Sequence, residues 1–312
     1  SNGKSVRADG SPVTAIVSAG DDPATARTIA RMQRTHPITV AHIPDTGHTP
    51  VLSDRNQTRC IREWLHGDGA IGAGHHFDAT ALATAGDVVV VTPNYRLGVF
   101  GGFGLAGLAG SGTFAVQDQR AALDWVRRNI AAFGGDPGNV TLFGVSYGAS
   151  ATAAHLISPA SRGLFHKVIM HSGFALVDLP AEAWYPGLEA LPWLAWRDTA
   201  EIEQLGRMVA DDLGCPDIDC LRALPVGKLL EYPQVMNIFQ PFGYGNPDLP
   251  ELPAEAFPAG EVARVPVLAG NTRHEHRNLV AVFRGSVTAE DYPRLLAAAF
   301  GDRAAEVERE YP

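Results

Sequence analysis

The sequence predicts an α/β fold: a mostly parallel central sheet flanked by helices, with a cap segment laid over it. Three observations point there. Short apolar runs alternate with stretches of helical periodicity along most of the chain. Asp87 to Thr92 holds four consecutive valines, the pattern of a parallel strand buried on both faces. Residues 140–150, VTLFGVSYGAS, give an apolar strand, a sharp turn carrying Ser146, and a small-residue helix from Ala149 to Leu156.

The bulk numbers are compatible with that class. A chain of 312 residues suits one large α/β domain or two small ones. With 46% hydrophobic and 19% charged residues it has the composition of a globular protein. The formal net charge of −9, with no long basic run, argues against nucleic-acid binding. No apolar run approaches the roughly 18 residues a membrane span needs. Residues 1–10 are polar and expected to be disordered. No leader pattern is visible at the start, but processing could have removed one. Of the three cysteines, Cys215 and Cys220 lie close together in LGCPDIDC. A bridge there fits an exported protein and two thiols fit a cytosolic one; the reading leans to the bridge, and with it slightly to secretion. Cys60 has no obvious partner, and these spacings do not make a zinc site.

Taken in order, residues 12–18 and 38–43 read as strands, 24–33 as a helix, and Ser53 or Asp54 can cap a helix to Leu65. The loop between holds Gly47-His48. HGDGAIGAGHHF, 66–77, is a glycine-rich loop, and 78–84 a short helix. Asn94 to Gly112 is too glycine-rich for a stable helix and reads as a wall of the site. Phe114 to Phe133 is the strongest helix, with Leu123, Val126, Ile130 and Phe133 on one stripe; Gly134-Gly135 ends it. Lys167 to His171 is another strand. Residues 174–264 change character: prolines, tryptophans and short helices mark a cap or lid. Val265 to Ala269 returns to strand, and Thr288 to Arg309 closes as helix. The chain thus divides into a core, 11–173, a cap, 174–264, and a final strand, acid loop and helix, 265–312.

In open parallel sheets ligands sit at the carboxyl ends of strands. Ser146, Asp22, His48, His66 and Glu275 all follow strands or strand-like ends. A serine hydroxyl becomes nucleophilic at neutral pH through a histidine whose tautomer an acid fixes. Asp118 and Arg96 read as capping or ion-pairing residues. His155, His166 and His171 read as packing or surface histidines, and His75 and His76 as rim residues. Trp184, Trp193 and Trp196 could line an acyl pocket or form the small core of the lid.

From about His66 to Glu275 the chain resembles the type-B carboxylesterase and lipase family, which has the α/β-hydrolase fold. The resemblance is carried by WLHGDGAIG at 64–72, VVVVTPNYRLGVFGGF at 88–103, the run from Gln117 to Ser150, SRGLFHKVIMHSG at 161–173 and VPVLAGNTRHE at 265–275. It implies a serine hydrolase of small carboxylic esters with no metal or organic cofactor. It also implies Ser146 as nucleophile, Glu275 as acid, and the N–H groups of Asp68, Gly69 and Tyr147 as oxyanion donors. Such donors contribute about 3 kcal/mol each to the transition state.

The chain departs from the family pattern in three places. Asp68 stands between two glycines where the family has a third; Val145 stands where it mostly has glutamate; and after Glu275 only His276 follows. Residues 12–65 resemble instead the C-terminal end of tripeptidyl-aminopeptidase and proline-iminopeptidase α/β-hydrolases: strand, Asp22-Pro23, helix, strand, Gly47-His48, helix. That resemblance implies a permuted or chimeric arrangement with His48 as base and Asp22 as an alternative acid. It also keeps open an aminopeptidase-like enzyme. A catalytically inactive α/β-hydrolase is the third reading.

Overall fold

The structure, a computed structural model, describes residues 40–42, 79–86, 88–173, 175–183, 187, 189–192, 195–231, 238–239, 242–272, 275 and 287–311. These fall into two compact units. The first holds the described residues of 1–175 and 195–270, the second those of 176–194 and 271–312.

The first unit is built on a four-stranded, all-parallel sheet. Its strands are β1 (Val40–His42), β2 (Thr141–Val145), β3 (Lys167–His171) and β8 (Val267–Gly270), in that spatial order. β1 runs beside β2 with Val40 opposite Thr141, so part of the N-terminal segment joins the main sheet. Every residue of β2 is buried. That suits a central strand with neighbours on both sides and helices above and below.

The four valines show where pattern and pairing part. Val88 and Val90 pack with Phe143 and Ile169, and Val89 and Val91 with the Leu142 and Val168 cluster. Alternate side chains therefore go to opposite faces, as in a strand. Yet 88–92 has no strand assignment and pairs with no described strand, contrary to the expected sheet member. Burial on both faces is what the sequence records; a ladder also needs a neighbour in register.

Helix α1 (Thr80–Gly86) precedes the valines. Within the glycine-rich stretch one short helix forms, α2 (Val99–Gly102). Gly101 is required there, because a Cβ would lie 2.3 Å from the Arg96 carbonyl oxygen. α3 (Phe114–Asn129) buries Leu123 and Val126, continues as a 3₁₀ turn to Phe133, and stops at Gly134 with φ 85°. Its stripe meets Val140, Leu142 and Leu156. Phe133, expected on the stripe, is instead 59% exposed because the tighter 3₁₀ turn rotates it off the buried face.

Beyond β3 the unit continues with β6 (Trp196–Asp198) and α5 (Thr199–Asp212), then α6 (Ile218–Ala223), α7 (Val226–Leu230), β7 (Phe242–Tyr244) and α8 (Pro253–Ala259). β6 pairs in parallel with β7. α5 is capped by Asp198, whose side chain accepts from the Ala200 N–H, and α6 by Asp217 in the same way from Cys220. Cys215 and Cys220 form a disulfide around the start of α6. Ile202 of α5 packs with Val99, Phe103 and Phe239.

The second unit contains the antiparallel pair β4 (Asp178–Leu179) and β5 (Leu191–Pro192), and helices α9 (Tyr292–Phe300) and α10 (Ala304–Glu310). An Arg294–Glu182 ion pair of 2.7 Å links its two chain segments.

Candidate active site

β2 delivers the chain into a turn, and α4 (Tyr147–Ile157) leaves it. Ser146 stands between them with φ 56° and ψ −119°. Side chains other than glycine rarely adopt this region, and holding one there costs about 1–3 kcal/mol. The turn is possible because its neighbours are small. A Cβ on Gly144 would lie 2.1 Å from the Gly148 carbonyl oxygen, and one on Gly173 would lie 2.6 Å from the Ala149 Cβ. The Ser146 N–H donates to the His171 carbonyl at 2.8 Å, and the Ser146 carbonyl accepts from Ala149 and Ser150. Its side chain makes no capping hydrogen bond, so Oγ is not committed to the helix end.

Tyr147 is the first residue of α4, at the positive end of the helix dipole. From Gly148 to Ile157 every residue of α4 is buried. Four alanines keep the helix close to the sheet.

The Tyr147 ring stacks on Phe242 at 5.4 Å between centroids, and Phe242 lies 5.0 Å from Trp196. Phe242 and Trp196 are both buried. The Trp196 Nε1–H is buried without an acceptor among the described residues. Trp196 therefore stands close to the serine turn through one intervening ring. Trp184 and Trp193 lie outside the described residues. Phe242 gave no signal in the sequence: it sits on a three-residue strand far along the chain, and only folding brings it to Tyr147.

Two histidines near the sheet, His155 and His166, make structural hydrogen bonds. His155 is fully buried, with Nε2 3.0 Å from the Gln119 Oε1 and Nδ1 2.8 Å from the Ser161 Oγ. Since an amide oxygen only accepts, Nε2 carries the proton and Nδ1 accepts from the hydroxyl. Burial, and then the charge of Arg120, push its pKa down to about 3. The His166 Nδ1 accepts the Val140 N–H at 3.1 Å, and partial burial lowers its pKa.

Arg96 and Asp118 form the expected pair. The Arg96 Nε and Nη2 each donate to one Asp118 oxygen at 2.8 Å, and the Arg96 backbone N–H adds a third bond. Partial burial opposes ionisation of Asp118, but the bonds from Arg96 outweigh it and hold its pKa below the usual value. A second network escaped the sequence reading: Asp248 accepts from Arg120, Gln117 and Thr113 at the start of α3.

Of the residues expected in the site, the structure describes Ser146, Tyr147 and Glu275. Ser146 and Tyr147 are joined in one turn. Glu275 belongs to the second unit, where its Oε1 accepts the Thr272 N–H. His48, Asp22, Asp68 and Gly69 lie outside the described residues, as do His66, His75, His76, His274 and His276. Among the described residues no cluster could hold a metal ion, and no helix is long and apolar enough to cross a membrane.

The profile of the carboxylesterase family matches residues 48–295. The chain is 38% identical over 220 residues to the para-nitrobenzyl esterase of Bacillus subtilis (strain 168), covering 69% of this chain and 43% of that protein. It is 37% identical over 236 residues to the cocaine esterase of Oryctolagus cuniculus, covering 73% and 41%. A solved PNB esterase superposes with a TM-score of 0.60 at 32% identity, covering 79% of this chain and 50% of that one. A thermophilic PNB esterase gives 0.58 at 33%, covering 78% and 50%. The chain thus spans less than half the length of these two curated relatives. The likeness to solved structures shares the α/β-hydrolase fold, and the family profile takes in the serine turn and most of the chain. The chain belongs to the carboxylesterase family.

Proposed function

We propose that the chain carries the nucleophile of a serine hydrolase that cleaves carboxylic esters of small molecules. The observation that supports this most is the conformation of Ser146: a non-glycine residue held at φ 56° between a buried strand and a helix N-terminus, with Oγ left out of the capping bonds. Ser172 and Glu182 share a positive φ, but of the three only Ser146 stands between a buried strand and the N-terminus of an eleven-residue helix. The relatives' names, para-nitrobenzyl esterase and cocaine esterase, give the same reaction class.

In this reading the Ser146 Oγ attacks the ester carbonyl while His48 takes its proton. The tetrahedral oxyanion is held by the N–H groups of Asp68, Gly69 and Tyr147, aided by the dipole of α4. His48 then returns the proton to the departing alcohol, leaving an acyl group on Ser146. Water attacks that acyl-enzyme with His48 again as base, and the acid is released. Glu275, or Asp22 in its place, fixes the His48 tautomer. The Tyr147–Phe242–Trp196 stack would border the ester's apolar part. No cofactor enters the cycle.

The test combines fluorophosphonate labelling with turnover of a short p-nitrophenyl ester. Ser146→Ala should remove both, and His48→Ala should lower turnover by about ten-thousand-fold. Whichever of Glu275→Gln and Asp22→Asn gives the larger loss identifies the acid. A parent protein that neither labels nor turns over ester rules the proposal out.

A further inference from the structure

Apart from the serine turn, the first unit has a solvent-open cleft of about 340 Å³ between the start of α3 and helices α5, α6 and α7. Its walls are apolar: Phe100, Phe103, Phe114, Val209, Leu221 and Leu229 supply most of them. Two charged residues line it, Arg96 and Arg222, and no carboxylate does. Each has a carboxylate partner outside the lining, Arg96 with Asp118 at 2.8 Å and Arg222 with Asp219 at 3.5 Å.

Both guanidinium groups retain donors. Arg96 spends Nε–H and one Nη2–H on Asp118, which fixes the group 5.0 Å above the Phe114 ring centroid. Three of its five N–H donors, including both on Nη1, then have no acceptor among the described residues. Arg222 meets Asp219 only at 3.5 Å, and the two side chains are 66% and 88% exposed. Exposed pairs of that kind hold weakly and leave the guanidinium able to turn to another anion. One fixed cation and one movable cation beside an apolar hollow match an anion with a hydrocarbon body. At about 30 Å³ per water-sized group, the volume takes roughly ten non-hydrogen atoms. It lies at the small end of small-molecule sites, about 300–1,000 Å³.

We infer that this cleft is a binding site for a medium-chain carboxylate, with the hydrocarbon among Phe103, Phe114 and Leu221 and the carboxylate between Arg96 and Arg222. The inference stands on the cleft and its charges and is independent of the chemistry at Ser146.

Calorimetric titration of the Ser146→Ala protein with sodium octanoate tests it, with octylamine and octanol as comparators. One octanoate per chain should bind, about tenfold or more tightly than either comparator, and more weakly as salt is raised. Arg222→Gln should weaken octanoate by about tenfold. Val209→Trp, which fills the hollow, should abolish binding while the circular-dichroism melt shows a folded protein. Absence of octanoate binding, equal binding of octylamine, or binding untouched by both substitutions overturns the inference. Binding that survives Val209→Trp would place octanoate elsewhere.

Discussion

Replacing Gly144 by alanine tests whether the serine turn is held by steric fit. A Cβ at that position would meet the Gly148 carbonyl oxygen at 2.1 Å, its carbon at 2.2 Å and the Ala149 nitrogen at 2.6 Å. Comfortable separations are about 3.5 Å, so the shortfall is roughly 1.4 Å, and it falls on backbone that no rotamer change can clear. The start of α4 must move away from β2, which loosens the packing of both elements. Overpacking of this kind costs about 1–3 kcal/mol, and a displacement near 1 Å at a reacting atom costs about a hundredfold in rate. Urea unfolding should therefore show Gly144→Ala less stable by about 2 kcal/mol, and the fluorophosphonate labelling rate should fall about a hundredfold. Gly227→Ala is the matched control. It lies in α7 with nothing within 4 Å of the new Cβ, and it should be neutral or stabilising by up to about 1 kcal/mol. A Gly144→Ala protein within about 0.5 kcal/mol of the parent, labelling within twofold of it, would refute the steric account.

Three further outcomes are expected. Ser146→Gly should abolish labelling and raise unfolding stability by about 1 kcal/mol, because glycine adopts φ 56° without strain; a destabilised variant would contradict the strain. Phe242→Ala removes a fully buried ring touching Tyr147 and Trp196; it should cost about 3–5 kcal/mol in urea unfolding. His155 should make stability pH-dependent. Its folded pKa of about 3 lies below the usual 6.5, so the unfolded chain binds the proton more readily, and stability is complete above about pH 6.5. It should decline as pH falls toward 3, by a contribution on the order of 4 kcal/mol, and His155→Gln should flatten the slope between pH 4.5 and 7.

The sequence by itself determined the features that depend on neighbours along the chain. The serine turn is one, since Gly144 stands two residues before Ser146 and its steric demand, against the Gly148 carbonyl, falls within the same turn, although Gly173 also gives it room from a distant segment. The stripe of α3, its end at Gly134 and the alternation of Val88 to Val91 between two faces are others, because periodicity records burial. The close cysteines of the 215–220 loop belong here too. Tertiary structure decided which distant segments meet. It put Val40–His42 beside β2, left the valines without a described ladder, and brought Phe242 onto Tyr147. It also set Arg96 and Arg222 around one apolar hollow. The physical reason is common to all of these: a hydrophobic pattern states that a side chain will be buried and on which face, but the partner that buries it is fixed only when the whole chain packs.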